Sequence, residues 1–261
     1  MSQIMPAISG SNYLQPSMVL KGGILLALSY DSTRYTKDVD FSTERKLTDF
    51  DIKDFVKELD QALTQAANRL NYGLDCLVQS YKQQPPRDDA TFPTIQIKIG
   101  YAYKDEPKSY QRLLRKESVT VVRIDYSLNE PVGEVDLLNI EGERDIRTYN
   151  LYDLIGEKFR ALLQQDKRNR VRRQDIYDLY LILRTRPDVN HMNYKEKILQ
   201  SLLTKSRIRD LEVSQYSMDD PNIISRSRQE YSSLSNEVEG DLPDFDEAYS
   251  HVNSFYKSMP W

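Results

Sequence analysis

Cysteine is almost missing from this chain: Cys76 is the only one. An internal disulfide framework and any multi-cysteine zinc site are thereby excluded. Histidine is nearly as scarce, and His191 and His251 lie too far apart in sequence to offer metal-ligand spacing. If the protein is an enzyme, its chemistry runs mainly on carboxylates, lysines and arginines. No run approaches the roughly 18–20 apolar residues that span a bilayer; the most apolar one, Gly23 to Leu28, is far shorter. No basic segment followed by an apolar core is present at the start, so no export signal is read and no membrane role is expected. With one thiol, a reducing cytoplasm is the expected location. Nor does charge of one sign dominate, since 36 Lys and Arg face 40 Asp and Glu. That balance argues against a general nucleic-acid coat and leaves room only for a local basic patch. No internal repeat is visible.

What remains is a 261-residue chain, 39% apolar and 29% charged, which fits one large or two small soluble domains. Ser17 to Tyr30 reads as a helix interrupted by Gly22 and Gly23. Each glycine inside a helix costs roughly 1 kcal/mol relative to alanine, so the pair points to a turn or a close approach of backbone to something else. Tyr35 to Phe41 reads as extended, and Asp51 to about Leu70 as a helix capped by Asp51. From Leu74 to Ile140 the pattern changes to strands: Ile95, Ile97 and Ile99 alternate with Gln96 and Lys98, Val119 to Tyr126 is β-branched, and Val132 to Leu138 follows a turn. The last two are expected to form a hairpin. From Thr148 to about Leu203 the period is helical, and beyond Lys205 the chain is Ser-rich, then acidic from Glu237 to Glu247, with a short helix near Glu247 to Tyr256. The expected fold class is α+β, divided into residues 1–148 and a helical domain over 149–261.

The stretch Arg34-Tyr-Thr36-Lys-Asp38-Val-Asp40-Phe41 carries the most chemistry. In a strand Thr36, Asp38 and Asp40 share one face and Val39 and Phe41 the other. Two carboxylates side by side repel unless a cation lies between them. Mg²⁺ answers that need, because it takes carboxylate and phosphate oxygens together; neutralisation by Lys37 or Arg34 answers it equally well. Asp125 closes an otherwise apolar strand, where it either pairs with Arg123 or joins the two earlier acids to hold metal for phosphoryl transfer. Lys158 falls mid-arc in the apolar stripe of its helix while Arg160 points the opposite way, and a triphosphate or a carboxylate of the first domain would satisfy its ammonium. Asp175 borders the buried face of the next helix, where it also favours the helix dipole, and Asp178 is placed to pair with an arginine. The loop before them, Lys167 to Arg173, holds five basic residues in seven. Arg168, Arg170, Arg172 and Arg173 are either a solvated surface or the one place able to grip a nucleic-acid backbone.

Taken together, Leu20-Lys-Gly22-Gly23, Arg34-x-Thr36-x-Asp38-x-Asp40-Phe41, Glu157-Lys158-x-Arg160-Ala161-Leu162 and Arg173-x-Asp175-x-x-Asp178-Leu179 resemble the AbiEii/AbiGii toxin family of nucleotidyltransferases, a branch of the DNA-polymerase-β-like superfamily. The resemblance covers residues from about 20 to 185; the remainder matches nothing recognisable. It implies a polymerase-β-like domain with a mixed sheet and flanking helices, followed by a helical domain that contributes Lys158 and Asp175. By the same resemblance Gly22 and Gly23 form the phosphate-binding turn, Arg34 and Thr36 bind nucleotide, and Asp38, Asp40 and Asp125 ligate Mg²⁺. Lys158 contacts phosphate, and Asp175 orients or deprotonates the acceptor. Ile24 departs from the pattern, standing where the family usually carries a small hydroxyl residue. The implied activity is transfer of a nucleoside monophosphate from an NTP to tRNA, in a toxin paired with a cognate antitoxin and tied to phage defence. A protein hydroxyl as acceptor, as in AMPylating relatives, and a binding module that has lost the chemistry are the alternatives.

Overall fold

Alternating apolar and polar residues organise the first half of the chain into strands in the computed structural model, which describes residues 2–140 and 144–261. The elements here are α1 (Ile4–Gly10), β1 (Val19–Lys21), α2 (Gly22–Ser29), β2 (Asp38–Ser42), α3 (Ile52–Leu70), β3 (Leu74–Gln84), β4 (Thr94–Tyr103), α4 (Pro107–Leu114), β5 (Val121–Ser127), β6 (Val135–Leu138) and β7 (Ile146–Tyr149). The strands form one mixed sheet in the order β3-β4-β5-β2-β1-β7-β6. β2 runs parallel to β5 and β1 to β7, and the other neighbours are antiparallel. Val39, Phe41, Ile95, Ile97, Ile99, Ile124 and Tyr126 are buried on one face. α3 supplies Phe55, Leu59 and Leu63 to the same core, with Phe55 stacked on Tyr126 at 4.8 Å between ring centroids. Asp51 caps that helix by accepting from the Lys53 and Asp54 amides, which removes two orphan donors. Cys76 lies in the core, and burial pushes its thiol up to about 11, so it is inert as a nucleophile.

Two expectations from the sequence are corrected. Met18 to Lys21 is not the first turn of a helix: Val19–Lys21 is a short strand between β2 and β7, and the apolar periodicity there belongs partly to it and partly to α2. Nor do β5 and β6 make a hairpin. β5 is taken by β4 and β2, whose longer ladders it completes, and β6 pairs with β7 instead.

Helical periodicity governs the rest: α5 (Leu151–Leu163), α6 (Arg173–Thr185), α7 (Met192–Arg207), α8 (Pro221–Arg228) and α9 (Phe245–Lys257). The fold is α+β. The chain forms two compact units, one of Met1–Leu25 with Thr36–Tyr149 and one of Leu26–Tyr35 with Asn150–Trp261. In the second, α5 is buried nearly all round. Arg160 is therefore not solvent-facing: it is 5% exposed and paired with Glu157 and Gln164. The Ser-rich stretch after Lys205 is folded too, burying Tyr231, Leu234, Phe245, Tyr249, Val252 and Tyr256. It holds the segment Leu26–Tyr35 through backbone bonds, the Tyr35 amide to the Glu237 carbonyl at 2.7 Å and the Glu239 amide to the Thr33 carbonyl at 3.1 Å. Among the described residues no helix is long and apolar enough to cross a membrane.

Candidate active site

β1 passes straight into α2 through Gly22, whose φ of +72° few other residues adopt. A Cβ on Gly22 would fall 2.2 Å from Asp40 Oδ2. The glycine is thus required twice, by the turn and by the carboxylate packed against it. The first amides of α2 have no partner within the helix and carry the positive end of its dipole, a setting that favours an anion.

Sheet register then assembles the acids. Asp40 lies opposite Asp125 and Asp38 opposite Arg123. Lys21 flanks Asp40 from β1, and Gln96 flanks Asp125 from β4, its amide donating to both carboxylate oxygens at 3.3 and 3.5 Å. Neighbouring strands lie about 4.8 Å apart and residues i and i+2 about 6.6 Å. Asp40 and Asp125 are therefore nearest neighbours, with Asp38 one step along the same face. Like charges so placed destabilise a sheet unless something lies between them. Among the described residues no three His, Cys, Asp or Glu side chains converge into a group able to hold a metal ion by themselves. Mg²⁺ needs no such cage, because it is commonly held by one or two carboxylates and substrate phosphates. The donor set fits that mode of binding. The Thr36 hydroxyl, just ahead of β2, donates to the Asp38 carbonyl at 3.4 Å.

The helical unit builds a different cluster. Lys158 Nζ donates to Asp175 Oδ1 at 2.8 Å and to Asp178 Oδ2 at 2.6 Å. Arg34 grips Asp178 with two prongs, Nε to Oδ1 at 2.8 Å and Nη2 to Oδ2 at 3.0 Å. Burial alone would lower the Lys158 pKa, but the charges of Asp175 and Asp178 outweigh it and hold the ammonium above its ordinary 10.5. Burial alone would raise Asp178, and Lys158 and Arg34 together pull it below its ordinary 3.8. Arg34 likewise ends up raised, against its own burial, chiefly by Asp178. Asp175 Oδ2 is buried with no hydrogen-bond partner, and the Arg172 guanidinium approaches it to 4.0 Å.

Several sequence expectations change in this light. The carboxylates that satisfy Lys158 come from α6 in its own unit, not from the first domain. Arg34 neutralises Asp178 rather than the Asp38–Asp40 pair. In the sheet register Asp125 faces Asp40 and accepts from Gln96, while Arg123 faces Asp38. In the basic loop, Lys167 donates to the Asp210 carbonyl at 3.0 Å and Arg173 pairs with Glu237 at 2.7 Å, while Arg168 and Arg170 are exposed. The acidic tail is mostly spent inside its unit: Asp244 caps α9, Asp246 pairs with Arg228 and Glu247 accepts from Tyr180. Sequence reading missed Lys21 and Gln96, whose only signal is strand parity. It also missed the buried pair of Asp153 and Lys205 at 2.8 Å, signalled by a second lysine in an apolar helical stripe.

The family model for nucleotidyl transferase AbiEii toxin, type IV TA system, matches residues 10–251. No curated protein matches the chain. Among solved structures, a candidate nucleotidyltransferase from H. pylori is similar at 15% identity and a TM-score of 0.52, over 98% of this chain and 90% of that one. JHP933 from Helicobacter pylori gives the same identity and TM-score over 98% and 87%. MenT4, the nucleotidyltransferase toxin Rv2826c from Mycobacterium tuberculosis H37Rv, aligns at 13% identity and a TM-score of 0.45 over 99% and 90%.

Proposed function

Since the chain belongs to the AbiEii family of nucleotidyl transferase toxins of type IV toxin–antitoxin systems, and is a nucleotidyltransferase, we propose that it moves a nucleoside monophosphate from an NTP to tRNA with Mg²⁺. The observation that carries this reading is the opposition of Asp40 and Asp125 on adjacent strands, with Asp40 packed against the Gly22 turn. Asp40 and Asp125 would hold Mg²⁺ together with the NTP phosphates, with Asp38 one step along the same face; when bound, the ion supplies charge neutralisation at the phosphates and activation of the attacking hydroxyl.

The chain's own groups do the positioning. Gly22 and Gly23 offer backbone amides to phosphate oxygens, and with Ile24 in place of a hydroxyl residue the turn relies on backbone donors alone. In the helical unit, Lys158 has three N–H donors and spends two on Asp175 and Asp178; the reading assigns the third to phosphate. Asp175, with its orphan Oδ2, is assigned the acceptor hydroxyl. Arg34 and Thr36 steady the chain ahead of β2. The hydroxyl oxygen bonds to the α-phosphorus, the bond to the bridging oxygen breaks, pyrophosphate leaves, and the hydroxyl proton passes to the carboxylate. Exposed Arg168 and Arg170 offer contacts to an RNA backbone. A cognate antitoxin and a cytoplasmic setting complete the reading.

Asp40→Asn tests it. Loss of several kcal/mol of charge stabilisation lowers transfer of α-labelled nucleotide to tRNA by about 100-fold or more, and growth arrest on expression disappears with it. Equal labelling by both proteins overturns the assignment. Label that survives nuclease and is lost to protease moves the acceptor to protein.

A further inference from the structure

The open face of the sheet in the first unit carries charge that the nucleotide site does not use. Two rows of side chains cross it. One runs Asp38, Arg123, Lys98, Ser80 and the other Lys21, Asp40, Asp125, Gln96, Lys82, each from adjacent strands in register. Arg123, Lys98 and Lys82 are exposed, and among the described residues their side chains make no hydrogen bond or ion pair. Arg123 and Lys98 face each other directly across β5 and β4, an arrangement of like charges that destabilises a sheet. The positions beside them on β4 and β3, namely Thr94, Gln96, Ser80 and Gln84, are uncharged; Asp38 is the one acid in the row of Arg123 and Lys98, and Asp40 and Asp125 are the acids in the row of Lys82. Cations of this kind on an edge strand commonly guard against aggregation. That accounts for Lys82 on β3, but β4 and β5 are interior strands, where Lys98 and Arg123 have no edge to guard.

Further along the same face the sheet is covered. Tyr110 of α4 donates to Asp75 at 2.6 Å, and Asp75 is the register partner of Ala102. A Cβ on Gly100 would meet the Gln79 and Ser118 side chains, both at 2.7 Å. The exposed cations thus occupy the uncovered rows, beginning beside the Asp40–Asp125 pair and leading away from it towards β3.

We infer that Arg123, Lys98 and Lys82 form a track that seats the sugar–phosphate backbone of the RNA acceptor beside the paired aspartates. Diagonal neighbours on a sheet are about 7–8 Å apart, and lysine stems are long and flexible, so the three cations reach separate phosphates. The track rests on the tRNA reading above, and its test is a binding measurement that needs no turnover.

Labelled tRNA is titrated against wild type, the Lys82→Ala/Lys98→Ala double variant and the charge-preserving Lys82→Arg/Lys98→Arg variant at several salt concentrations. Both lysines are exposed and lie outside the metal and nucleotide machinery, so NTP affinity serves as the folding control and stays unchanged. The alanine variant binds tRNA about 10-fold more weakly, and its log–log salt slope falls by roughly 1.4–1.8, at about 0.7–0.9 for each phosphate no longer neutralised. The arginine variant binds like wild type. Unchanged affinity and slope in the alanine variant overturn the track while leaving the transfer reading intact. Wild type that shows no tRNA binding and labels protein overturns both. If wild type binds tRNA with the expected slope change but transfers nothing, the track stands and the transfer reading falls.

Discussion

At the residue scale, Asp178 is the most heavily committed side chain of the helical unit, fully buried between an ammonium and a guanidinium. Removing one member of a buried ion-pair network leaves uncompensated charge and typically costs about 3–5 kcal/mol. Asp178→Ala is expected to lose that much in urea unfolding, because Arg34 and Lys158 then face each other with only Asp175 between them. The pH dependence has a definite sign. The Asp178 carboxyl lies below its ordinary 3.8 in the fold, so its contribution is complete above that value and is lost as acid titrates through the lower folded one. Lys158 lies above its ordinary 10.5, so its contribution is complete below that value and is lost as alkali passes through the higher folded one. The stability gap between wild type and Asp178→Asn is therefore flat through the neutral range and narrows in acid below pH 3.8 and in alkali above pH 10.5. A gap that already shrinks at pH 6 refutes the assigned direction. Gly22→Ala carries both a strained φ and a clash with Asp40; it is expected to cost about 1–3 kcal/mol in calorimetry and to depress transfer beyond what that loss of stability explains.

At the scale of elements, Gly156 sets how closely α5 and α7 approach. A Cβ there would sit 2.8 Å from Ser201 Oγ and 3.1 Å from the Leu202 amide nitrogen. Gly156→Ala is expected to destabilise by about 1–3 kcal/mol, the usual cost of overpacking. Ser201→Gly in the same chain should recover part of it, a coupling that a double-mutant cycle reads directly; strictly additive effects would show that the helices move apart instead. Elements with a strong local signal were legible in the sequence. Ile95, Ile97 and Ile99 announced β4, and the Asp51 cap with its apolar stripe announced α3. β1 was not legible, because three residues running straight into α2 carry too little period to separate strand from helix. The β5–β2 pairing was hidden for another reason: it is parallel and joins distant segments, whereas the turn at Asn129 and Pro131 advertised a local hairpin. The site divides likewise. The parity of Asp38 and Asp40 was readable, but the partners of Lys158 and Arg34 depend on α6 packing, 144 residues from Arg34 in the case of Asp178.

At the scale of the whole molecule, the C-terminal stretch is structural. α9 contributes Phe245, Ala248, Tyr249, Val252, Phe255 and Tyr256 to the helical core, each large side chain worth roughly 1.5–3 kcal/mol of burial. Deleting residues from Glu237 onward is therefore expected to unfold the helical unit, seen as lost cooperativity in a far-ultraviolet thermal melt. A truncated protein that melts as sharply as the full chain would contradict this.

The order of residues along the chain and the membership of the two units do not coincide, since Leu26–Tyr35 is grouped with Asn150–Trp261. A gene divided after Tyr149 would separate the polypeptide at the wrong place. The downstream product would keep Asp178 and Lys158 yet lose the guanidinium of Arg34 and the backbone rungs at Thr33 and Tyr35. Adding a synthetic peptide of residues 26–35 to that product should raise its melting temperature in a dose-dependent way, and the same peptide with Arg34 replaced by alanine should not.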